Sequence, residues 1–161
     1  MTGTRAQDLL PLARAQGVMI ATAESCTGGM VAAAITDIAG SSAVFDRGVV
    51  TYSNAAKTGL LAVAPATLAA HGAVSEQVAA EMAAGLLERS EAGIAISVTG
   101  IAGPGGSEHK PEGRVCFGLA RKGHGVRTET VDFGALGRGA VREAARDHAL
   151  DLLIAALTPE A

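Results

Sequence analysis

Residues 21–34 (ATAESCTGGMVAAA) interrupt a run of small apolar residues with groups that can do chemistry. Ser25 offers a hydroxyl and Cys26 a thiol, both of which can act as nucleophiles. The two glycines that follow favour exposed N–H groups at a helix start, which suit a phosphate or a developing oxyanion. In α/β proteins ligands bind beyond the carboxyl ends of strands, where this segment is predicted to lie. Spacing alone leaves a turn capped by Ser25 or Thr27 as the alternative.

A second segment, TYSNAAK, carries a phenol at Tyr52 and an amine at Lys57. These residues are five apart, so on one continuous helix they would point to different faces. With Tyr52 at a strand end and Lys57 in the following helical turn, both can reach one cleft. A lysine that acts as a base must be neutral part of the time, and burial lowers its pKa in that direction. Because most lysines are exposed, a solvated surface lysine is the alternative.

A third segment, SVTGIAGPGG, runs from an apolar strand into a loop rich in glycine. Thr99 and Gly100 offer a hydroxyl and open backbone at the strand end. The order of the glycines differs from the dinucleotide-binding pattern, and a hairpin follows where that pattern needs a helix. The alternative is a structured connection whose far end, residues 107–112, is mobile.

The sequence lacks the residue patterns that other kinds of catalytic site require. The four histidines have no metal-ligand spacing, and two cysteines form neither a disulfide framework nor a zinc site, so no metal or cofactor is predicted. Without a Ser-His-Asp pattern, Lys57 is the better candidate base for Ser25. Cys26 remains the alternative nucleophile, although no histidine is at hand to activate it. Two roles stay open for Glu24: it forms an ion pair with Lys57 or an arginine, or it fixes the turn.

The elements that must position these groups follow from hydrophobic periodicity and turn residues. Strands interleaved with helices, plus one hairpin, predict a three-layer α/β/α sandwich with a mixed, mostly parallel sheet in one domain over residues 1–161. Asn54 and Ser75 are the expected caps of the third and fourth helices, and Pro11 is expected in the opening turn of the first. The predicted helices are 8–16, 30–35, 57–61, 78–90 and 138–157, and the predicted strands are 18–23, 44–52, 94–98, 114–120 and 126–133.

Composition excludes several classes of protein. The chain is 48% hydrophobic but has no Trp, one Tyr and three Phe, so aliphatic side chains must fill its core. A net charge of -3 argues against broad nucleic-acid binding. The N-terminal residues lack the apolar core of a signal peptide, and no apolar run is long enough to span a membrane. A cytoplasmic location is expected.

Six motifs, taken in order, resemble the CinA C-terminal domain family over residues 9–157. They are AESCTGG, the GSS of residues 40–42, YSNAAK, HGAVSE, TGIAGPGG and KPEGRV. The resemblance implies an amidohydrolase that converts nicotinamide mononucleotide and water to nicotinate mononucleotide and ammonia. It also implies an α/β/α fold, a homodimer or higher homo-oligomer, and no required metal. No counterpart of the additional N-terminal domain of longer relatives is found, so the stand-alone form is expected.

The resemblance also implies roles for individual residues. Ser25 corresponds to the nucleophile, Lys57 to the general base, and Tyr52 to a group that orients or relays the proton. The family run G-D-R-x-x-V-R is altered here, since Gly137 stands where the aspartate would be. An accessory domain that binds a phosphate ligand without catalysis is therefore the alternative function. The residues expected to contact substrate are Ser42, Thr99, Gly100, the backbone donors Thr27, Gly28 and Gly29, and the candidate phosphate ligands Arg138 and Arg142.

Overall fold

Five strands form one mixed sheet in the computed structural model, which describes residues 2–160 and the side chains of residues 5–160. The strands are β1 (Ile20–Glu24), β2 (Phe45–Val50), β3 (Ile94–Gly100), β4 (Arg114–Arg121) and β5 (Gly125–Asp132). Their order is β2-β1-β3-β4-β5. β1 pairs in parallel with β2 and β3, whereas β4 runs antiparallel to β3 and β5. Four strands therefore run in one direction, and the apolar β3 lies at the centre, which confirms the predicted mixed sheet.

Helices cover both faces of the sheet. They are α1 (Thr2–Gln16), α2 (Met30–Thr36), α3 (Asn54–Leu61), α4 (Pro65–His71), α5 (Glu76–Glu88) and α6 (Arg138–Leu157). The first, second and sixth pack on one face, whereas α3 and α5 pack on the other, with α4 against α5. The predicted three-layer sandwich is thus confirmed. Among the described helices, none is both long enough and apolar enough to cross a bilayer.

The two cores differ in the size of the strand side chains that they bury. Neighbouring residues of a strand point to opposite faces of the sheet. Ile20 and Ile94 accordingly pack under α1 and α6, while Ala21 and Ala95 face α5. Small side chains on the α5 face let that helix approach the sheet closely.

Three local predictions were wrong or incomplete. Pro11 lies inside α1, which begins nine residues earlier at Thr2; buried side chains on both sides of Pro11, such as Leu9 and Ala13, stabilise the helix through it. Ser53, and not Asn54, caps α3, because its hydroxyl accepts the Ala56 N–H at 3.0 Å. The short helix α4 was not predicted.

Parallel pairing places three strand ends at the same edge of the sheet. Glu24 is the register partner of both Val50 and Val98. Ser25 follows β1 directly, Thr51 follows β2, and Thr99 is the residue before the last of β3. The three segments singled out in the sequence therefore meet in space.

Candidate active site

A cleft of about 380 Å³ opens at this edge of the sheet. It lies where the β1–α2 turn, the β2–α3 connection, the loop after β3 and the start of α6 come together. Six of the residues predicted to act in the site line it. They are Ser25, Tyr52, Lys57, Thr99, Gly100 and Arg138.

Lys57 and Ser25 form the central pair of the cleft. The Nζ of Lys57 lies 3.1 Å from the Oγ of Ser25, and the two residues are 1% and 8% exposed. The amine also donates to the carbonyl oxygens of Thr51 at 2.8 Å and of Tyr52 at 3.5 Å. Burial lowers the pKa of Lys57. The alternative of a solvated lysine is therefore wrong, and the amine is suited to accept a proton from Ser25.

The first turn of α3 explains why Lys57 points inward. Ser53 caps this helix, and Lys57 follows in its first turn, so the side chain extends back towards the end of β2. Leu61, one turn later on the same face, is 1% exposed in the α5-side core. The helix therefore presents one buried face on which the apolar part of the lysine packs and its amine reaches the strand ends.

The Glu24 carboxylate fixes the turn that carries Ser25. It is 1% exposed and accepts four hydrogen bonds. The donors are the Thr27 hydroxyl at 2.6 Å and the backbone N–H groups of Gly29, Val31 and Ala32 at 3.2, 2.9 and 3.0 Å. These N–H groups belong to the start of α2, where a helix lacks internal acceptors. Of the roles left open for Glu24, the structure supports the one in fixing the turn.

Two of the three backbone N–H groups expected to contact substrate are already used. Gly28 donates to the Ser25 carbonyl at 3.0 Å, and Gly29 donates to Glu24. The structure therefore does not support Gly28 and Gly29 as donors to an oxyanion. Within residues 2–160, the N–H groups of Cys26 and Thr27 have no hydrogen-bond acceptor. Thr27 is fully buried and does not line the cleft, whereas Cys26 does, so Cys26 is a donor that the sequence did not single out.

The Cys26 thiol is poorly suited to be the nucleophile. It is 5% exposed, and burial raises its pKa to about 11. A thiol needs to be ionised to attack, so it stays inert at neutral pH. None of the described histidines lies within hydrogen-bond distance of its sulfur. This geometry favours Ser25 over the alternative nucleophile.

Tyr52 and Arg138 meet at the mouth of the cleft. The Tyr52 side chain is exposed, and its hydroxyl accepts a hydrogen bond from Arg138 Nη2 at 2.9 Å. Arg138 Nη1 donates to the Gly103 carbonyl at 2.7 Å, so this guanidinium joins α6 to the glycine loop. Tyr52 approaches Lys57 through its carbonyl oxygen, a backbone contact that side-chain patterns could not reveal.

Arg142 and Ser42 are placed differently from the expectation. Arg142 donates through Nε to the Cys26 carbonyl at 3.0 Å and through Nη2 to the Thr27 carbonyl at 3.3 Å, and it does not line the cleft. Ser42 is exposed in a short 3-10 helix before β2, at the opposite edge of the sheet. The structure does not bring Ser42 to the cleft within this chain.

Thr99 and Gly100 form the floor beside the pair. The Thr99 hydroxyl is buried and donates to the Ala73 carbonyl at 2.9 Å, so it ties β3 to the connection before α5. A Cβ atom at Gly100 would lie 2.7 Å from a Val115 methyl group and 3.1 Å from the Cys26 sulfur. Glycine is required there by the close approach of the neighbouring strand and of the turn.

The far end of the glycine loop is held to the body of the protein. Ser107 and Lys110 form an isolated bridge, and the Lys110 amine donates to the carbonyl oxygens of His71 and Val74 at 2.7 and 2.6 Å. These contacts fix one wall of the cleft. Among the described residues, no group of three or more His, Cys, Asp or Glu side chains is arranged to hold a metal ion.

Comparison with known sequences identifies close relatives. The nicotinamide-nucleotide amidohydrolase PncC of Escherichia coli K12 is 54% identical over 142 residues, which cover 87% of this chain and 85% of that protein. The PncC of Enterobacter agglomerans is 58% identical over 130 residues, covering 80% and 79% of the two chains. A CinA-like protein of Chlorobium phaeobacteroides is 59% identical over 121 residues, but the match spans only 29% of its length.

Solved structures give the same assignment. The competence/damage inducible protein CihA of Agrobacterium tumefaciens superposes with a TM-score of 0.92 at 47% identity, covering 96% of this chain and 94% of that one. A CinA superfamily protein of Klebsiella pneumoniae gives 0.93 at 39% identity and covers 98% of both chains. A model of the CinA C-terminal domain matches residues 3–157. This chain therefore belongs to the CinA C-terminal domain family.

Proposed function

We propose that this protein is an amidohydrolase that releases ammonia from nicotinamide mononucleotide, with Ser25 as nucleophile and Lys57 as base. The observation that carries the proposal is the buried Lys57 amine, 3.1 Å from the Ser25 hydroxyl in an open cleft. The relatives named PncC, 54 and 58% identical, supply the substrate class.

The first half of the reaction acylates Ser25. A neutral amine has two N–H donors and one lone pair. The carbonyl oxygens of Thr51 and Tyr52 take the two donors, which leaves the lone pair for the Ser25 proton. As the hydroxyl oxygen attacks the carboxamide carbon, its proton passes to Nζ. The free N–H group of Cys26, which lines the cleft, is the proposed donor to the oxyanion, and one such donor contributes about 3–4 kcal/mol.

The second half releases both products. The protonated Lys57 returns its proton to the departing nitrogen, which leaves as ammonia while the carbon–nitrogen bond breaks. A water molecule then attacks the acyl-enzyme and gives its proton to the neutral amine. Lys57 protonates the Ser25 oxygen, so nicotinate mononucleotide leaves and both residues are restored.

Arg138 is the proposed ligand of the substrate phosphate. Its guanidinium lies at the cleft mouth, where its only hydrogen-bond partners among the described residues are the neutral oxygens of Tyr52 and Gly103. A phosphate would replace these with charge-assisted hydrogen bonds, which are stronger. The Tyr52 hydroxyl belongs to this end of the cleft, so we assign its side chain to substrate binding. The proton relay that the resemblance implies for Tyr52 stays a prediction.

Two single variants test the choice of nucleophile. Ser25→Ala is expected to abolish ammonia release from nicotinamide mononucleotide, because no other described hydroxyl lies within hydrogen-bond distance of the Lys57 amine. Cys26→Ala is the matched control at the next residue, and it should retain most of the activity because its backbone N–H is unchanged. Ammonia is measured in a coupled assay over time.

The outcomes separate the competing functions. Full activity of Ser25→Ala with loss in Cys26→Ala would assign the reaction to the thiol. Binding of nicotinamide mononucleotide by the unaltered protein without any turnover would support an accessory binding domain. The expected homodimer and cytoplasmic location remain predictions.

A further inference from the structure

We propose that Arg142 is a positioning residue that holds the turn carrying Ser25, and that it does not bind the substrate phosphate. The inference rests on the proposed function, because that turn carries the proposed nucleophile and the proposed oxyanion donor of the reaction. Arg142 reaches the turn from α6, 116 residues after Cys26 in the chain.

Two opposite charges hold the turn, and each forms hydrogen bonds with a different set of its polar groups. The Glu24 carboxylate accepts hydrogen bonds from the Thr27 hydroxyl and three backbone N–H groups. The Arg142 guanidinium donates to the carbonyl oxygens of Cys26 and Thr27. Each charge therefore meets only groups of complementary polarity. Losing either one frees one side of the turn, so Arg142 is needed even with Glu24 in place.

A backbone contact links Arg142 to the proposed oxyanion donor. Arg142 Nε donates to the carbonyl of Cys26 at 3.0 Å, and the N–H group of the same residue is the proposed donor. This hydrogen bond restrains the backbone of Cys26. Arg142 therefore positions a group proposed to contact the reacting atoms without lining the cleft itself.

Gly28 makes room for the guanidinium. Its φ is +58°, and a Cβ atom there would lie 3.3 Å from Arg142 Nη2. Glycine at this position both allows the turn and lets Arg142 approach its carbonyl groups. Arg138, four residues earlier on α6, lines the cleft and Arg142 does not. The two arginines of the altered motif thus have separate roles.

Binding and turnover distinguish the two roles. In a Ser25→Ala background, Arg142→Gln should leave the affinity for nicotinamide mononucleotide within about twofold, whereas Arg138→Gln should lower it at least about tenfold. With Ser25 present, Arg142→Gln should lower kcat about 10- to 100-fold with little change in KM, as expected for a small misplacement of reacting groups. Arg142→Lys should recover only part of the loss, since an ammonium is not a planar fork that bonds two carbonyls.

Thiol labelling gives a readout that does not need turnover. A loosened turn should expose Cys26 to a maleimide, so Arg142→Gln should label Cys26 faster while buried Cys116 on β4 stays slow. Arg146→Gln is the control, because Arg146 lies one turn further on α6 and pairs with Asp147.

Two results would overturn the inference. One is a loss of affinity in Arg142→Gln as large as that in Arg138→Gln, which would place Arg142 on the phosphate. The other is unchanged Cys26 labelling together with unchanged kcat, which would mean that the turn keeps its geometry without the guanidinium. If the unaltered protein shows no turnover, the proposed function fails, and the labelling still decides whether Arg142 holds the turn.

Discussion

Lys57 combines two requirements that usually conflict, burial and an ionisable amine. It is among the largest fully buried side chains of the described residues, yet no carboxylate of those residues lies within ion-pair distance of its Nζ. An unpaired charge in such a place is costly, so the neutral form is favoured. The carbonyl oxygens of Thr51 and Tyr52 satisfy the N–H groups of that form. The reactivity proposed for Lys57 and its cost in stability therefore have the same physical origin.

That cost predicts how stability depends on pH. In the unfolded chain Lys57 has its ordinary pKa of about 10.4, and in the folded protein the pKa is lower. Between these two values only the unfolded state binds the proton, so the free energy of unfolding rises with pH. Below the folded pKa both states are protonated, and the destabilisation is full and constant.

Lys57→Met should remove this dependence. The difference in unfolding free energy, variant minus wild type, is expected to be largest below the folded pKa of Lys57 and to shrink as the pH approaches about 10. Urea unfolding at a series of pH values measures it. The slope with pH carries the test, because leaving the Thr51 carbonyl without its donor adds an offset that does not vary with pH. Lys122→Met, at an exposed turn, is the control; a difference that is flat with pH would refute the depressed pKa.

At the scale of helices and strands, sequence patterns predicted the elements whose ends and buried faces are set by nearby residues. The helix α6, the hairpin of β4 and β5, and the Ser75 cap all follow from periodicity and turn residues, and the structure confirms them. The helix α4 was not predicted because its sequence has no apolar residues at helical spacing that form a buried face. None of its residues is buried. Its place depends on a contact with Glu81, which accepts from Ala64 N–H and the Thr67 hydroxyl.

The candidate site likewise has one part that could be predicted from the sequence and one part that could not. The Ser25–Lys57 pair could be predicted from the sequence, since both residues follow strand ends that parallel pairing brings together. That Gly28 and Gly29 use their N–H groups inside the turn, and that Arg142 bonds two backbone carbonyls, could not be predicted. Backbone partners leave no pattern of side chains, so only the fold reveals them.

Two helical glycines on the α5 side of the sheet provide a prediction about packing. A Cβ atom at Gly85 of α5 would lie 1.9 Å from the Leu61 carbonyl oxygen, whereas one at Gly59 of α3 would meet no neighbouring atom of the described residues within 4 Å. Gly85→Ala should therefore destabilise the protein by about 2–3 kcal/mol through overpacking. Gly59→Ala should stabilise it by up to about 1 kcal/mol, because glycine is a poor helix former.

Thermal and urea unfolding of the two variants give the comparison. The substitution is the same and both positions are helical, so helix propensity favours alanine in each case. Equal changes in stability would mean that α5 does not pack against the end of α3 as closely as the structure shows. Opposite signs would support the close approach.

At the scale of the molecule, the cleft joins parts of the chain that are distant in sequence. Its walls come from the β1–α2 turn, the β2–α3 connection, the glycine loop after β3 and the start of α6. The protein as a whole is acidic, with a net charge of -3, yet Arg138 places a cation at the cleft mouth. We therefore expect an anionic substrate to be attracted by this local group and not by the overall field.

A ligand that contacts all these walls should stabilise the whole fold. Nicotinamide mononucleotide at about 100 times its Kd adds about 2.7 kcal/mol to the free energy of unfolding, provided that only the folded state binds it. For a chain of this size, that corresponds to a rise in Tm of about 5–11 °C. The Ser25→Ala variant is used for the measurement, so that the ligand is not consumed during the scan.

Arg138→Gln in that background should lose most of the shift at the same ligand concentration, because the phosphate loses its charged partner. Arg127→Gln, at an exposed position on β5 outside the cleft lining, should keep the full shift. Nicotinamide riboside, which lacks the phosphate, should give a smaller shift, and Arg138→Gln should leave that smaller shift unchanged. Equal shifts for nucleotide and riboside would place the phosphate outside the reach of Arg138, and the cleft would then recognise the pyridine and ribose alone.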